Sequence, residues 1–423
     1  MSIFNINLHE TIFFLSDSLN LLGSKQIDHG KRVAYITAEC GKALQWDDQQ
    51  IDDLFLAAIL HDCGISKTVV YERLVSFNGK NAGNHCVTGS ELLSACLPLA
   101  YLSDCILHHH VDWEELKGID LPDSVKLSAN CIYMADTVDF LVLQYLDNDP
   151  NILANKETIR KHIASKRDSF FAAEIVDVFL ELSKPEAFWL TLEKGHNSGY
   201  ATAWMGHKQV VPTSFTDLKS IALLYARMVD AKSHYTKSHS EGVANLSRYL
   251  GELFGLTEHT CDKLELAGLL HDLGKLRVPD AILEKPGKLT DSEWFVMQRH
   301  SYDTYDIIKD IQGFEEISLW ASQHHERIDG SGYPFRSSHD DLSLEARIIA
   351  VADVFQSLSQ DRPYRMKIQP EELMHILQLQ VQGNKIDKLV VEMVDDNLVE
   401  CWEHVKACKP VDRVDSNELD IVK

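Results

Sequence analysis

The dominant pattern of the chain is a helical spacing of apolar positions. In QIDHGKRVAYITAECGKAL, positions on one helix face recur three or four residues apart: His29, Val33, Ile36, Cys40 and Leu44. The segment KSHSEGVANLSRYLGELF repeats this spacing at His239, Val243, Leu246, Leu250 and Phe254. Because a histidine opens each apolar face, we expect both imidazoles to be buried. Strand-like alternation is rare and short, so the pattern predicts an all-α protein.

The chain is long enough for two cores. Its 423 residues exceed the size of one ordinary domain. Glycines, a proline and small polar residues interrupt the helical pattern in KGHNSGYATAWMGHKQVVPTSFTDL. We therefore predict a boundary near residue 205, with a first domain over residues 1–205 that carries a helical extension and a second over residues 206–423.

The two halves share seven histidine and aspartate positions. LAAILHDCGISKTVV and LAGLLHDLGKLRVPD each end a helical run with a His-Asp pair. The preceding histidine is 32 residues away in both halves, and a later pair of histidines is 24 residues apart in both. The recurring positions are His29, His61, Asp62, His85, His109, His110 and Asp136, and then His239, His271, Asp272, His300, His324, His325 and Asp353.

These seven positions together indicate a metal centre. A lone histidine on an apolar helix face is more often a hydrogen-bonded core residue. Burying an aspartate charge is costly without a cation or donors, and His and Asp are ligands of Fe, Mn, Zn and Ni. Adjacent helical residues point about 100° apart, so His324 and His325 are suited to two different ions, and Asp272 could bridge them. Two cations with an activated water favour phosphoester hydrolysis.

The order of these residues resembles the HD superfamily of metal-dependent phosphohydrolases. The second half, over roughly residues 210 to 380, resembles the HD-GYP family of cyclic-dinucleotide phosphodiesterases. The motifs that carry the resemblance are HDLGKLRVPDAILEKPGKLT, HHERIDGSGYP and RIIAVADVFQSLSQDRPYR. The resemblance implies two tandem HD-type helical bundle domains, of which the C-terminal one is an HD-GYP domain.

The same resemblance implies roles for residues of the second half. The metal ligands would be His239, His271, Asp272, His300, His324, His325 and Asp353, with Asp272 as the bridging carboxylate. Lys275 would bind a phosphate oxygen and, with Asp272, serve catalysis. Tyr333, Arg362 and Arg365 match positions that contact the dinucleotide, as suits an aromatic ring and arginine forks.

Departures from the family pattern bear on metal count and substrate. Trinuclear members have a glutamate where this chain has Tyr235, so we expect two divalent ions, with Fe, Mn or Ni favoured over Zn. Ile328 and FRSSHDDLSL also depart from the family around the GYP sequence. Because the tandem arrangement resembles vibrio-type enzymes, 3'3'-cGAMP is slightly favoured over c-di-GMP. The expected product is linear, 5'-pApG or 5'-pGpG, which would end second-messenger signalling.

The first half keeps the seven ligand-type residues but lacks the other motifs. Ile65 stands where the second half has Lys275, Lys67 is two residues out of register, and VDWEELKGIDLP replaces the GYP segment. One hypothesis is a metal-bound 5'-nucleotidase that acts on the linear product. The other is a non-catalytic module that senses a nucleotide or docks a partner.

Charge and cysteine usage limit the partners and the compartment. A net charge of −23 disfavours DNA, RNA and anionic membranes. No apolar run approaches the roughly 20 residues of a membrane span, and the N-terminus lacks the basic start of a signal peptide. Nine cysteines without a CxxC pair are typical of a reducing cytoplasm. A homodimer is compatible with the sequence, which does not decide the oligomeric state.

Overall fold

The computed structural model describes residues 2–22, 28–65, 83–146, 151–193, 196–206, 211–233, 238–360 and 367–406. The chain forms two compact units. The first comprises Met1–Met228, Gly274–Asp280 and Asp306–Glu315, and the second comprises Val229–Leu273, Ala281–Tyr305 and Glu316–Lys423.

The first half of the chain is helical apart from two short strands. The strands are β1 (Ile3–Ile6) and β2 (Val211–Ser214). The helices are α1 (Leu8–Ser16), α2 (His29–Ala43), α3 (Asp48–Leu60), α4 (Gly83–Ser94), α5 (Ser103–His108), α6 (Trp113–Leu116), α7 (Asp123–Leu146), α8 (Lys156–Ser165), α9 (Ala173–Leu182), α10 (Glu186–Thr191), α11 (His196–Gly206) and α12 (Phe215–Asp230). Short 3-10 helices lie at Leu19–Leu21, Leu97–Leu102 and Ile152–Asn155.

The described residues of the second half form helices that are joined by turns and loops, without a strand. Its helices are α13 (His239–Leu253), α14 (Glu258–Leu270), α15 (Asp280–Leu283), α16 (Asp291–Ile308), α17 (Glu315–Ser322), α18 (Leu344–Ser359), α19 (Pro370–Gln382), α20 (Lys388–Asp396) and α21 (Leu398–Lys406). Tight turns lie at Leu273–Arg277 and His339–Asp341. The prediction of an all-α protein with two tandem helical bundles is confirmed.

Each half is built around a closely packed helix pair, α2 with α3 and α13 with α14. A Cβ added at Gly41 would lie 3.3 Å from the Ile51 side chain, and one added at Gly251 would lie 2.7 Å from the Leu264 side chain. Glycine therefore permits close approach in both pairs. The histidines that open α2 and α13 are buried, as predicted.

A two-stranded antiparallel ribbon joins distant parts of the first unit. Ile3 pairs with Ser214 and Ile6 pairs with Val211. The hydroxyl of Tyr225 in α12 also donates to the carbonyl of Ile12, at 3.2 Å. The first compact unit therefore extends beyond residue 205, where the sequence predicts the boundary.

Within the described residues, no helix has both the length and the apolar character needed to cross a membrane.

Candidate metal centres and dinucleotide site

The seven predicted ligands of the second half converge in the second unit. His239 opens α13, and His271 with Asp272 follows the end of α14. His300 lies in α16, His324 and His325 follow α17, and Asp353 lies in α18. Ligand atoms of three groups lie within 4.8 Å of one another: His239, His271 and Asp353; His271, Asp272 and His324; and His300, His324 and His325.

The two carboxylate oxygens of Asp272 face different histidines of the cluster. Its Oδ2 atom is 3.3 Å from Nε2 of His271 and 3.7 Å from Nε2 of His239. Its Oδ1 atom is 3.6 Å from Nε2 of His300 and 3.7 Å from Nε2 of His324. One carboxylate therefore faces two sets of imidazoles with different oxygens, which is what a bridging ligand requires.

Local hydrogen bonds orient the imidazoles. The Nδ1 atoms of His271, His300 and His324 donate to the carbonyls of Gly268, Met297 and Ala321, at 2.7, 2.5 and 2.7 Å. Each carbonyl lies three residues earlier in the chain. Those of Gly268 and Ala321 belong to the last turns of α14 and α17, where carbonyls lack helical partners, whereas Met297 lies in the middle of α16. Because a carbonyl only accepts, Nδ1 carries the proton and Nε2 presents its lone pair to the cluster.

This arrangement calls for a cation. Nε2 of His300 and Nε2 of His324 are 3.2 Å apart, although both are acceptors. Protonation is disfavoured because burial, together with His325 and His271, holds the pKa of His324 well below its ordinary value. A divalent metal ion satisfies facing lone pairs and the carboxylates at once. The residues present therefore fit a metal centre.

The adjacent pair His324 and His325 was expected to reach two different ions. Both lie in one group with His300, and His324 also lies with His271 and Asp272. His325 Nδ1 is 4.0 Å from Asp353 Oδ2. The division of the pair between two ions stays a prediction.

An unusual backbone turn positions the first histidine of each half. Asp28 before His29 and Ser238 before His239 have φ of 67° and 63°, in the left-handed region that non-glycine residues rarely adopt. Near the second turn, the Asp230 carboxylate accepts from Ser240 N at 3.1 Å and from Ser240 Oγ at 3.0 Å. These bonds cap α13 and fix the direction in which it begins.

Glu326 holds the backbone of the GYP segment, residues 332–337, in place. Its buried carboxylate accepts from the backbone N–H groups of Phe335, at 2.6 Å, and Ser337, at 3.1 Å. A Cβ at Gly332 would lie 2.4 Å from Glu326 Cα, so only glycine fits there. The segment holds the Tyr333 ring with its centroid 4.9 Å from that of His325. Tyr333 therefore lies beside the candidate metal ligands, and its role in substrate contact stays a prediction.

The sequence-based reasoning missed Trp294, which extends this aromatic surface. Its ring meets Tyr333 edge to face, with centroids 5.8 Å apart, and its residue is 42% exposed. Together the two rings form a wall beside the cluster on which a nucleobase can pack. No sequence signal marks Trp294, because it precedes His300 within an ordinary helical pattern.

Of the three other residues predicted to contact substrate, the structure describes one. Lys275 lies half-buried in the Leu273–Arg277 turn that follows Asp272. Arg362 and Arg365 lie outside the described residues, as do Lys67 and Tyr235. The roles of Lys275, Arg362 and Arg365 stay predictions.

The seven ligand-type residues of the first half converge in the first unit with the same geometry. Asp62 Oδ2 lies 3.5 Å from His61 Nε2 and 3.6 Å from His29 Nε2, and Oδ1 lies 3.6 Å from His85 Nε2. His85 Nε2 and His109 Nε2 are 3.2 Å apart. The set is completed by contacts of Asp136 Oδ1 with His29 at 3.3 Å and of Oδ2 with His110 at 3.8 Å.

Hydrogen bonds to backbone carbonyls also orient imidazoles of this cluster. His61 and His109 donate through Nδ1 to the carbonyls of Ala58 and Ile106, at 2.7 and 2.6 Å. Burial and the neighbouring histidines hold the pKa of His109 well below its ordinary value. His85 and His109 therefore also present facing Nε2 atoms, and these favour a bound cation in this cluster as well.

The two clusters differ in the residues behind the ligands. Asp139 accepts from His29 Nδ1 at 2.7 Å and pairs with the guanidinium of Arg32. Burial lowers the pKa of His29, but Asp136 and Asp139 outweigh it and raise that pKa to about 10. In the second half Gly242 stands in place of this arginine, and a Cβ there would meet the Gln356 side chain at 2.3 Å.

The sequence-based reasoning missed Asp139 and Arg32 as well. Both could have been noticed, because Asp139 follows Asp136 by three residues and Arg32 follows His29 by three. That spacing places each on the same helix face as the ligand it follows.

Comparison with known proteins agrees with this duplication. An HD domain model matches residues 27–141, and a second HD domain model matches residues 223–390. The chain is 38% identical over 403 residues to 3'3'-cGAMP-specific phosphodiesterase 1 of Vibrio cholerae, which covers 93% of this chain and 92% of that protein. It is 32% identical over 250 residues to a cyclic di-GMP phosphodiesterase of Pseudomonas aeruginosa, which covers 59% of this chain and 55% of that protein.

A solved structure shows the same fold. The crystal structure of a cyclic GMP-AMP specific phosphodiesterase of V. cholerae matches with a TM-score of 0.61 at 23% identity, over 95% of this chain and 97% of that one. One family assignment follows from the duplicated ligand sets, the GYP segment and the match along nearly the whole length. The chain belongs to the HD-GYP family of cyclic-dinucleotide phosphodiesterases and carries an additional N-terminal HD domain.

Proposed function

We propose that the second unit hydrolyses a 3',5'-linked cyclic dinucleotide, with 3'3'-cGAMP as the favoured substrate, to a linear 5'-phosphorylated dinucleotide. The observation that carries the proposal is the position of Asp272, whose two oxygens face different histidines of one buried cluster. Bound divalent cations would polarise the phosphodiester and lower the pKa of the attacking water.

The residues of this chain would orient the phosphodiester and recognise the dinucleotide. Asp272 and the histidines fix where the phosphodiester must lie, and Tyr333 with Trp294 offers a wall for one base. Lys275 would neutralise a phosphate oxygen. Water adds to phosphorus, the bond to the 3' oxygen breaks, and that oxygen takes up a proton. The 5' oxygen keeps the phosphate.

Coverage by relatives supports 3'3'-cGAMP over c-di-GMP. The relative named as 3'3'-cGAMP-specific that is 38% identical matches almost the entire chain. The P. aeruginosa relative named for cyclic di-GMP matches 59% of it. We therefore expect 3'3'-cGAMP to be turned over faster than c-di-GMP.

Product analysis tests the proposal. Purified protein with Fe(II), Mn(II) or Ni(II) is incubated with a panel of cyclic dinucleotides, and mass spectrometry identifies the products. The expected result is 5'-pApG from 3'3'-cGAMP, and its loss in the His271→Ala variant. Wild-type protein that leaves both 3'3'-cGAMP and c-di-GMP intact with all three metals would contradict the proposal.

A second activity is proposed for the first unit, in which the N-terminal cluster removes the 5'-phosphate of the linear product. The supporting observation is a cavity lined by His29, Lys31, His61 and Asp62. Lys31 lines the same cavity and is buried, with Nζ 2.6 Å from Asp17 and 3.5 Å from Asp28. An ammonium group in a cavity that also holds candidate metal ligands suits a phosphate monoester.

Phosphate release from 5'-pApG tests this second activity. We expect loss of release in His61→Ala and a reduced rate in Lys31→Ala. Lys184→Ala, which changes an exposed lysine of the same unit, should release phosphate like the wild type. Normal release by His61→Ala would contradict the nucleotidase and favour a sensing or docking role for this unit.

A further inference from the structure

A cysteine stands among the N-terminal ligands. Cys86 follows His85 directly, and its Sγ atom lies 3.8 Å from His85 Nε2. The sulfur and the imidazole nitrogens of His85, His109 and His110 all lie within 4.8 Å of one another. Cys86 is buried, so its sulfur faces the cluster and not solvent.

The distances fit one shared ion. Zinc binds thiolate sulfur at about 2.3 Å and imidazole nitrogen at about 2.0–2.1 Å, so a tetrahedral ion separates sulfur from nitrogen by roughly 3.6 Å and two nitrogens by roughly 3.3 Å. The observed separations are 3.8 Å between Cys86 Sγ and His85 Nε2, and 3.2 Å between His85 Nε2 and His109 Nε2. Both agree with a single ion held by these side chains.

The C-terminal cluster carries oxygen at the corresponding position. Ser301 follows His300, and its Oγ lies 3.3 Å from His300 Nε2. A neutral hydroxyl is a weak ligand, whereas thiolate sulfur selects thiophilic cations such as Zn. The two clusters therefore differ by one sulfur-for-oxygen replacement at an otherwise matching position.

We propose that Cys86 is a thiolate ligand of a divalent ion held with His85, His109 and His110, so that the N-terminal cluster takes a thiophilic cation and the C-terminal cluster does not. This inference rests on the proposal that the N-terminal cluster binds metal. Ligation forms one metal–sulfur bond and releases the thiol proton to solvent. Such an ion has four protein ligands, the number typical of structural zinc sites. Any hydrolysis in this unit would then depend on the neighbouring group of His29, His61 and Asp136.

Cobalt substitution tests the inference without an activity assay. Co(II) bound by thiolate gives a sulfur-to-cobalt charge-transfer band in the near ultraviolet. Metal-free full-length protein is titrated with Co(II) as wild type, Cys86→Ser, Ser301→Cys and Cys105→Ser. Cys105 is a buried cysteine of the same unit outside the metal-ligand groups of the described residues.

We expect the band in the wild type and in Cys105→Ser, its loss in Cys86→Ser, and a stronger band in Ser301→Cys. Bound cobalt is measured by elemental analysis, with the double variant His61→Ala/His109→Ala as the reference, because it removes a ligand from each of the two N-terminal groups. A band that persists in Cys86→Ser overturns the inference. So does a wild type that binds cobalt at the N-terminal cluster without a band, while Ser301→Cys shows one.

Elemental analysis separates the two possible failures. If wild type and the double variant bind equal cobalt, the N-terminal cluster holds no metal, and both this inference and the second proposed activity fall. If wild type binds more cobalt than the double variant but gives no band, only the role of Cys86 is wrong. Hydrolysis of 3'3'-cGAMP, assigned to the other unit, is measured independently.

Discussion

The Nε2 atoms of His300 and His324 face each other at 3.2 Å, although the Nδ1 atom of each donates to a backbone carbonyl. Two acceptors this close repel unless a cation lies with them. The Nε2 atoms of His85 and His109 in the first unit are also 3.2 Å apart, and His109 Nδ1 donates to the Ile106 carbonyl. Both units therefore hold Nε2 atoms that face one another, and for His300, His324 and His109 the cause is local, a carbonyl three residues earlier in the chain.

Replacing Asp272 by Asn should abolish most cyclic-dinucleotide hydrolysis. The amide retains the shape but lacks the negative charge, and only one of its two terminal atoms can ligate a metal. Because even residues behind metal ligands contribute about 10- to 100-fold, we expect kcat to fall by at least about 100-fold. Metal content should fall with it. Asp306→Asn, which changes an exposed carboxylate in α16, should keep wild-type metal content and activity. Full activity of Asp272→Asn would refute the bridging role.

Replacing Trp294 by Ala should raise KM for 3'3'-cGAMP. Stacking of a base on an aromatic ring contributes about 1–3 kcal/mol, so a roughly tenfold increase in KM is expected. The metal ligands are unchanged, so kcat should change much less. Steady-state kinetics measure both.

The neighbouring Phe295 provides the matched control for Trp294. It is 68% exposed, against 42% for Trp294. Phe295→Ala should leave KM at the wild-type value. Equal effects of the two substitutions would show that Trp294 contributes through general surface area and not through the wall with Tyr333.

Replacing Gly332 by Ala should displace the GYP segment. The added Cβ would lie 2.4 Å from Glu326 Cα, and backbone cannot yield as a flexible side chain does. We expect a loss of about 1–3 kcal/mol in stability and a higher KM, because Tyr333 follows directly in the chain. Thermal unfolding and kinetics measure these effects. Gly199→Ala, where an added Cβ meets nothing within 4 Å, should be neutral, and a neutral Gly332→Ala would contradict the close packing.

Replacing Asp139 by Asn should weaken metal binding by the N-terminal cluster. The carboxylate that orients His29 is lost, and such partners typically contribute 10- to 100-fold in affinity. The substitution also breaks the buried ion pair with Arg32, which should cost on the order of 3 kcal/mol. Metal titration and thermal unfolding test both effects. Asp177→Asn breaks the exposed pair with Arg167 and should change little.

The helical character and both ligand sets could be predicted from the sequence. Helical spacing repeats every three or four residues, so His29 and His239 were placed correctly on buried faces by local information alone. The pairing of β1 with β2 could not be predicted, because it joins segments about 200 residues apart through two strands of four residues each. Such short strands leave little pattern in a sequence.

The sequence by itself determined which residues recur, because seven chemically matched positions in the same order, with intervals of 32 and 24 residues repeated in both halves, leave little room for coincidence. The tertiary structure decided what stands beside them. Asp139 behind His29, Trp294 against Tyr333, and Cys86 where the other cluster has Ser301 all depend on how helices pack. Helix periodicity fixes which face a residue occupies, but only packing between helices fixes which atoms meet there.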